Sequence, residues 1–296
     1  MNKVELARMH NNDDVFIALY LFTAESLINE FGIDGEAAVR EGLRRFGYDR
    51  GITNRNKHLA VGLKINMKNY FTYTRDLPGD PRFKRDRLTL TPQERISHTL
   101  KCPFADLSIK YNLKDIGRIY CEEFHKAGYS AYAYGYTQVN LAKTLTQDGD
   151  KYCSFSVILR PENLPDELKP VCFEEYDPEY VPPVFQDYRP SAKEGYNSLG
   201  IRLFYHILGV SENYLGAKSR TAIVRGLSRL VTETTTMLQH SAKKLEQTLN
   251  REFVELNQPF ELDTEKEPMW EKYNEYSARE LFQAAYCNEL CKELSI

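Results

Sequence analysis

Two pairs of side chains in the first half of the chain have types and spacing that suit chemistry. His98 and Cys102 are four residues apart, and so are Cys121 and His125. On a helix, residues four apart share a face. His125 would then lower the pKa of Cys121 and favour a thiolate nucleophile. Glu122 or Glu123 would orient His125 or act as a base. The two pairs together, His98, Cys102, Cys121 and His125, suit a Cys2His2 zinc site or an open three-ligand site with water. The usual zinc Cys-x-x-Cys spacing is absent, as is His-Glu-x-x-His. No cofactor is expected otherwise. The plainer reading is that Cys102, Cys121, Cys153, Cys287 and Cys291 are small apolar packing residues.

A hairpin follows these pairs. Ala131 to Thr146 is rich in Tyr, Val, Thr and Leu, Gln147-Asp148-Gly149-Asp150 signals a turn, and Lys151 to Leu159 alternates. With Asp148-Gly149 as the loop, Thr144 pairs with Cys153. Cys153 then shares a face with Phe155, Val157, Thr144 and Asn140. Asn140 and Thr144 would donate hydrogen bonds to a ligand. Tyr132, Tyr134, Tyr136, Gln138 and Asn140 would form a polar–aromatic row suited to a small planar molecule. Ordinary strand aromatics covering helices are the alternative.

Three motifs occur in order: Cys102-Pro103-Phe104-Ala105, Tyr120-Cys121-Glu122-Glu123, and Gly149-Asp150-Lys151-Tyr152-Cys153-Ser154-Phe155. With the leader Gly35-Glu36-Ala37-Ala38-Val39-Arg40-Glu41-Gly42, they resemble the L-2-amino-thiazoline-4-carboxylic acid hydrolase family over about residues 15–160. The resemblance implies hydrolytic opening of a cyclic amidine, a 2-aminothiazoline becoming a carbamoyl-cysteine. Such a reaction needs a nucleophile at the amidine carbon, a base, an acid for the leaving atom, and a cation or donors for the carboxylate. Cys121, His125, Cys102 and Glu122 are the candidate catalytic set. Asn140, Thr144, Cys153, Gln138 and Tyr136 are the candidate substrate-binding set. The Gly-Asp-x-x-Cys-x-Phe return is also similar to small-molecule sensing domains of the 4-vinyl-reductase type, so binding without turnover is the alternative. A helical oligomerisation protein with vestigial chemistry is a third reading.

The elements that must position these residues are mostly helical. Asp13-Asp14 is expected to cap a helix, Gly32 to punctuate it, and Asp34 to start a second that ends at Gly47. A third helix is expected from about Arg55 to Phe71, then a loop from Arg75 to Arg87. Thr91-Pro92-Gln93-Glu94 reads as a capped helix start running to about Lys101. Short and long helices follow at Pro103–Tyr111 and Lys114–Ala127. Seven prolines between Pro161 and Pro190 suggest an extended linker, and Ser191 onward is helical again. Shifted by 184 positions, Ile17–Phe46 aligns with Ile201–Leu230, matching Asn29, Gly32, Ala38, Gly42 and Leu43 to Asn213, Gly216, Ala222, Gly226 and Leu227. That pattern suggests a degenerate internal repeat, although amphipathic helices share period and composition by chance.

The expected fold is therefore α+β: mainly helical, with a small antiparallel sheet around the 131–159 hairpin and a helical C-terminal part. The expected organisation is 1–160 hydrolase-like, 161–190 linker and 191–296 helical. The formal net charge of the 296-residue chain is −3, which argues against a nucleic-acid partner held by bulk positive charge. No apolar run is long enough to span a membrane, and the N-terminus lacks the apolar centre of a secretory signal. Six cysteines are too sparse for a disulfide-stapled scaffold, so free thiols in the cytoplasm are expected. The expected partner is a small-molecule substrate, with homo-oligomerisation left open.

Overall fold

The computed structural model describes residues 1–74, 76–185 and 189–296. Helix α1, Lys3–Phe31, starts ten residues earlier than the Asp13-Asp14 pair suggests. Asn2 and Glu5 form a reciprocal capping box, which satisfies the first free amides there. Asp13 and Asp14 instead lie inside the helix and bind Arg82. Gly32, at φ 57, breaks the chain into α2, Ile33–Ala60.

Helix α2 runs straight through Gly47. That glycine permits close approach rather than termination. A Cβ there would sit 2.4 Å from the Phe124 carbonyl oxygen, and one at Gly51 would sit 2.4 Å from that of Gly128. The expected third helix is correspondingly split. Its first part completes α2, Gly62 turns at φ 78, and α3 spans Met67–Tyr73.

The expected loop at 75–87 begins with Arg75, which lies outside the described residues, and ends inside strand β1, Lys84–Leu90. The largest departure comes next. Thr91-Pro92-Gln93-Glu94 is a hairpin turn, and Glu94–Lys101 is strand β2 rather than a helix. The cap-like hydrogen bond does form, from the Glu94 amide to Thr91 Oγ1 at 3.0 Å. It closes a turn because Thr91 N–H also donates to the Glu94 carbonyl at 2.8 Å, and β2 then pairs on both sides. Local capping chemistry is common to both outcomes, and long-range pairing decides between them.

Helices α4, Pro103–Lys110, and α5, Lys114–Tyr132, form where expected, although α5 extends to Tyr132. Strands β3, Gln138–Lys143, and β4, Cys153–Ile158, form a hairpin shorter than expected, joined by residues 144–152 rather than by a two-residue Asp148-Gly149 loop, and the paired ladder ends before Thr144. The sheet is antiparallel in the order β1-β2-β4-β3. Asn140 pairs with Ser156, and a bulge between Leu141 and Lys143 shifts the register beyond it. Asn140 therefore lies on the face opposite Cys153. The expected tyrosine row is also broken up: Tyr132 ends α5 and Tyr134 has φ 57.

The 161–185 segment is a series of short turns with α6 at Lys169–Cys172. It is docked rather than extended: Leu164, Cys172 and Phe173 join a small core with Ile65, Tyr70, Tyr132 and Val157. Residues 186–188 of the expected linker lie outside the described residues. The remaining helices are α7 Ala192–Leu215, α8 Lys218–Leu245, α9 Arg251–Asn257, α10 Met269–Lys272, α11 Ala278–Phe282 and α12 Glu289–Leu294. A π-helical turn, Gln283–Asn288, precedes α12. Side chains of α1, α2, α4 and α5 share one apolar core with those of α7 to α12. Among the described residues no helix is long and apolar enough to cross a membrane.

Candidate active site

The inner face of the sheet is polar along β2, where a buried strand face is ordinarily apolar, and apolar along β4. On β2 the buried residues are Arg95, Ser97 and Thr99, while Ile96, His98 and Leu100 face the other way. Their partners on β4 are Val157, Phe155 and Cys153. Register places Arg85 and Arg87 of β1 beside Thr99 and Ser97. Across from this face, α5 presents Cys121, His125 and Tyr129 at intervals of four. The His125 ring lies 5.3 Å from Phe155 and 5.7 Å from Tyr129, centroid to centroid. His125 and Cys121 are partly buried and keep some accessible surface.

Burial pushes the His125 pKa down to about 3, and the guanidiniums of Arg50, Arg85 and Arg95 add to that effect. The imidazole is therefore neutral. Its Nδ1 is buried without a hydrogen-bond partner, and so is Ser97 Oγ. Arg95 is 3% exposed and lies over the Phe71 ring at 4.5 Å. Burial lowers its pKa to about 10; Tyr129 opposes that shift, and Arg85 and Arg87 reinforce it. Arg50 differs, because Asp76 receives it in a two-point ion pair with one contact at 2.9 Å.

Three thiols come from three elements, with Cys102 and Cys153 near enough to influence Cys121. Cys102 caps α4, Cys121 lies on α5 and Cys153 opens β4. Burial raises all three: Cys102 to about 12, Cys121 well above the ordinary thiol, and Cys153 upward. Cys121 is raised further by its neighbours Cys102 and Cys153. A thiolate–imidazolium pair is thus not the resting state, because burial outweighs the influence of a neutral imidazole. Cys153 Sγ also accepts the Leu145 amide at 3.2 Å.

The other candidates are dispersed. Glu122 is bound to Arg40 at 2.9 Å and to Arg118 at 3.5 Å, so it does not orient His125. Gln138 and Tyr136 are exposed, and exposed Asn140 donates to Ser156 Oγ at 3.3 Å. Thr144 is buried, with its amide held by Asp150 at 2.9 Å. His98 lies on the outer sheet face, 4.2 Å from the Tyr152 ring, so the four zinc candidates do not converge. Among the described residues no group of three or more His, Cys, Asp or Glu is arranged to hold a metal ion.

Sequence reasoning missed Arg95, Ser97 and Arg85. The signal was the alternation Arg95-Ile96-Ser97-His98-Thr99-Leu100, which would ordinarily place Ile96 and Leu100 inside.

An open groove of about 870 Å³ lies elsewhere, lined in part by Arg44, Arg55, Asp49, His206 and Tyr273. It touches Ala127, Ser130 and Ala131. At 100° per residue these lie on the side of α5 opposite His125. Its carboxylates are already engaged: Asp49 accepts from Tyr273 at 2.8 Å and from His206 at 3.4 Å, and Glu41 pairs with Arg44 and Arg45. On the sheet side, among the described residues, His125 Nδ1 and Ser97 Oγ are both buried without a partner and Arg95 has no ion pair, which makes that side the better candidate.

Fold and site together define an α+β protein in which an imidazole, three thiols and the buried guanidinium of Arg95 lie between α5 and the inner sheet face. The family model for L-2-amino-thiazoline-4-carboxylic acid hydrolase matches residues 9–157, half of the chain, and the chain belongs to that family. The match spans every residue of the interior described above. No curated protein and no solved structure matches the chain.

Proposed function

We propose that the chain is a hydrolase that adds water to the amidine carbon of a 2-aminothiazoline carboxylate, or a close cyclic-amidine relative, and opens the ring. The observation that carries this reading is His125: a neutral, buried imidazole with an unpartnered nitrogen, set among three guanidiniums. Family membership supports the reaction class.

In this reading a water molecule gives a proton to His125 as its oxygen bonds to the amidine carbon. The tetrahedral carbon then collapses, its bond to the ring sulfur or ring nitrogen breaks, and the imidazolium returns the proton to the leaving atom. The product is a carbamoyl-cysteine, heavier than the substrate by one water. The cationic surroundings favour the anionic character that develops during attack. Cys121 is the competing nucleophile; protonated at rest, it would need His125 to take its proton during attack. Cys102 and Cys153 form the wall.

The test is incubation of the purified protein with a panel of 2-aminothiazoline and cyclic-amidine carboxylates, with mass detection of the hydrated product. Turnover lost in His125→Ala and kept in Cys121→Ser supports water attack; loss in Cys121→Ser as well moves the nucleophile to the thiol. Binding without turnover across the panel sinks the hydrolase and favours the sensor reading, which the protonated thiols suit. Elemental analysis of the same protein tests the zinc alternative.

A further inference from the structure

We infer that the interior between α5 and the inner sheet face is a binding site for the carboxylate of a small planar acid, anchored by Arg95 with Ser97 as second donor. This rests on the proposed site but not on turnover.

A buried cation is costly unless an anion pairs with it. The other deeply placed arginines obey that rule. Arg50 pairs with Asp76, and Arg82 with Asp13, Asp14 and Asp80. Arg95 is buried and has no ion pair or hydrogen bond among the described residues. The charged and phenolic groups that act on it most strongly are Tyr129, Arg85, Arg87 and Tyr70, none of them a carboxylate. Ser97 is two residues along on the same strand face, its Oγ buried and unpartnered. One guanidinium and one hydroxyl in that relation can grip the two oxygens of a single carboxylate.

The walls define the rest of the ligand. Phe71, Tyr129, Phe155 and His125 offer ring faces and edges, which suit a flat ring. The inverted polarity of β2 has the same explanation. A strand that turns Arg, Ser and Thr inward and Ile and Leu outward gains nothing from packing, but it builds a lined site.

The test is calorimetry with 2-aminothiazole-4-carboxylate, its carboxamide and inorganic phosphate. The aromatic ring blocks opening, so binding is read without chemistry. The acid is expected to bind, with the amide and phosphate weaker by on the order of 10–100-fold. Arg95→Gln should weaken the acid by a similar factor and leave the amide unchanged. Arg95→Lys should restore part of the loss and Ser97→Ala should cost about 3–10-fold.

A melting experiment separates binding from scaffolding. Arg95→Met is expected to raise Tm without ligand and to abolish the ligand-induced rise. Equal affinity for acid and amide, an unchanged Arg95→Gln, tighter phosphate binding, or no acid binding at millimolar concentration would each overturn the inference. Acid binding in a protein that opens no thiazoline leaves this site standing and removes only the hydrolase reading.

Discussion

The two long helix pairs of the molecule are built alike but surround different interiors. Helices α1 and α2 break at Gly32, φ 57, and α7 and α8 break at Gly216, φ 72. They cross reciprocally. Gly42 of α2 sits against Ile207 and His206 of α7, while Gly226 of α8 sits against Phe22 and Thr23 of α1. Each pair is also served by a cysteine helix. In the first half Cys121 is followed four residues later by His125; in the second, Cys287 is followed by Cys291. Cys287 is fully buried, with its thiol directed at the Glu261 carbonyl at 3.5 Å. Cys121 keeps accessible surface and shares a helix face with His125. What the first half adds to the shared helical frame is a sheet whose β2 turns Arg95, Ser97 and Thr99 inward.

The comparison breaks most sharply on His125. His125→Ala is expected to lower turnover by about 10–10²-fold, less than a base tuned near neutral pH supplies because its pKa is about 3, whereas Cys291→Ala should leave turnover unchanged. Steady-state rates on one substrate check both.

The pH profile comes next. With its pKa near 3, His125 stays neutral across pH 5–8, so kcat/KM should show no limb near 6.5. Its folded pKa lies below the unfolded value, so the folded state binds fewer protons between about pH 3 and 6.5. Stability from this group is complete above about pH 6.5 and is lost as pH falls toward 3, at up to about 1.4 kcal/mol per pH unit. Urea titrations at several pH values should show His125→Gln flattening that slope.

Glycine contacts sharpen the shared frame. Gly226→Ala would place a Cβ 2.7 Å from the Phe22 carbonyl oxygen and should cost about 1–3 kcal/mol. Gly42→Ala, whose nearest neighbour is 3.1 Å away, should cost less than about 1 kcal/mol, since alanine also favours the helix. Denaturant midpoints rank them. The smallest difference expected is between the cysteines. Cys287→Ser should cost about 1–2 kcal/mol by placing a hydroxyl in an apolar core, and Cys121→Ser less than about 1 kcal/mol because it borders polar groups.

The sequence made some of this legible. The α+β class, α4, α5 and the hairpin follow from periodicity and turn residues. Strand β2 was not legible, because Thr91 and Glu94 make the same local bond in a hairpin turn as in a capping box. Arg95 was hidden for a related reason. Alternation reveals two faces of a strand, and only tertiary structure reveals that the polar one is inside. Gly47 read as a stop because a glycine that ends a helix and one that admits a neighbour look identical in sequence.

The glycine seam between α2 and α5 has a consequence for how the interior opens. Gly47, Gly51 and Gly128 bring the two backbones together with only the methyl groups of Ala127 and Ala131 against the glycines, so these helices are closely packed. Breathing that admits a solute then falls to the opposite wall, where β1 is an outer strand exposed from Lys84 to Leu88. Amide hydrogen exchange should be fastest along that outer strand and slowest along the seam, and the reverse order would mean the doorway is elsewhere.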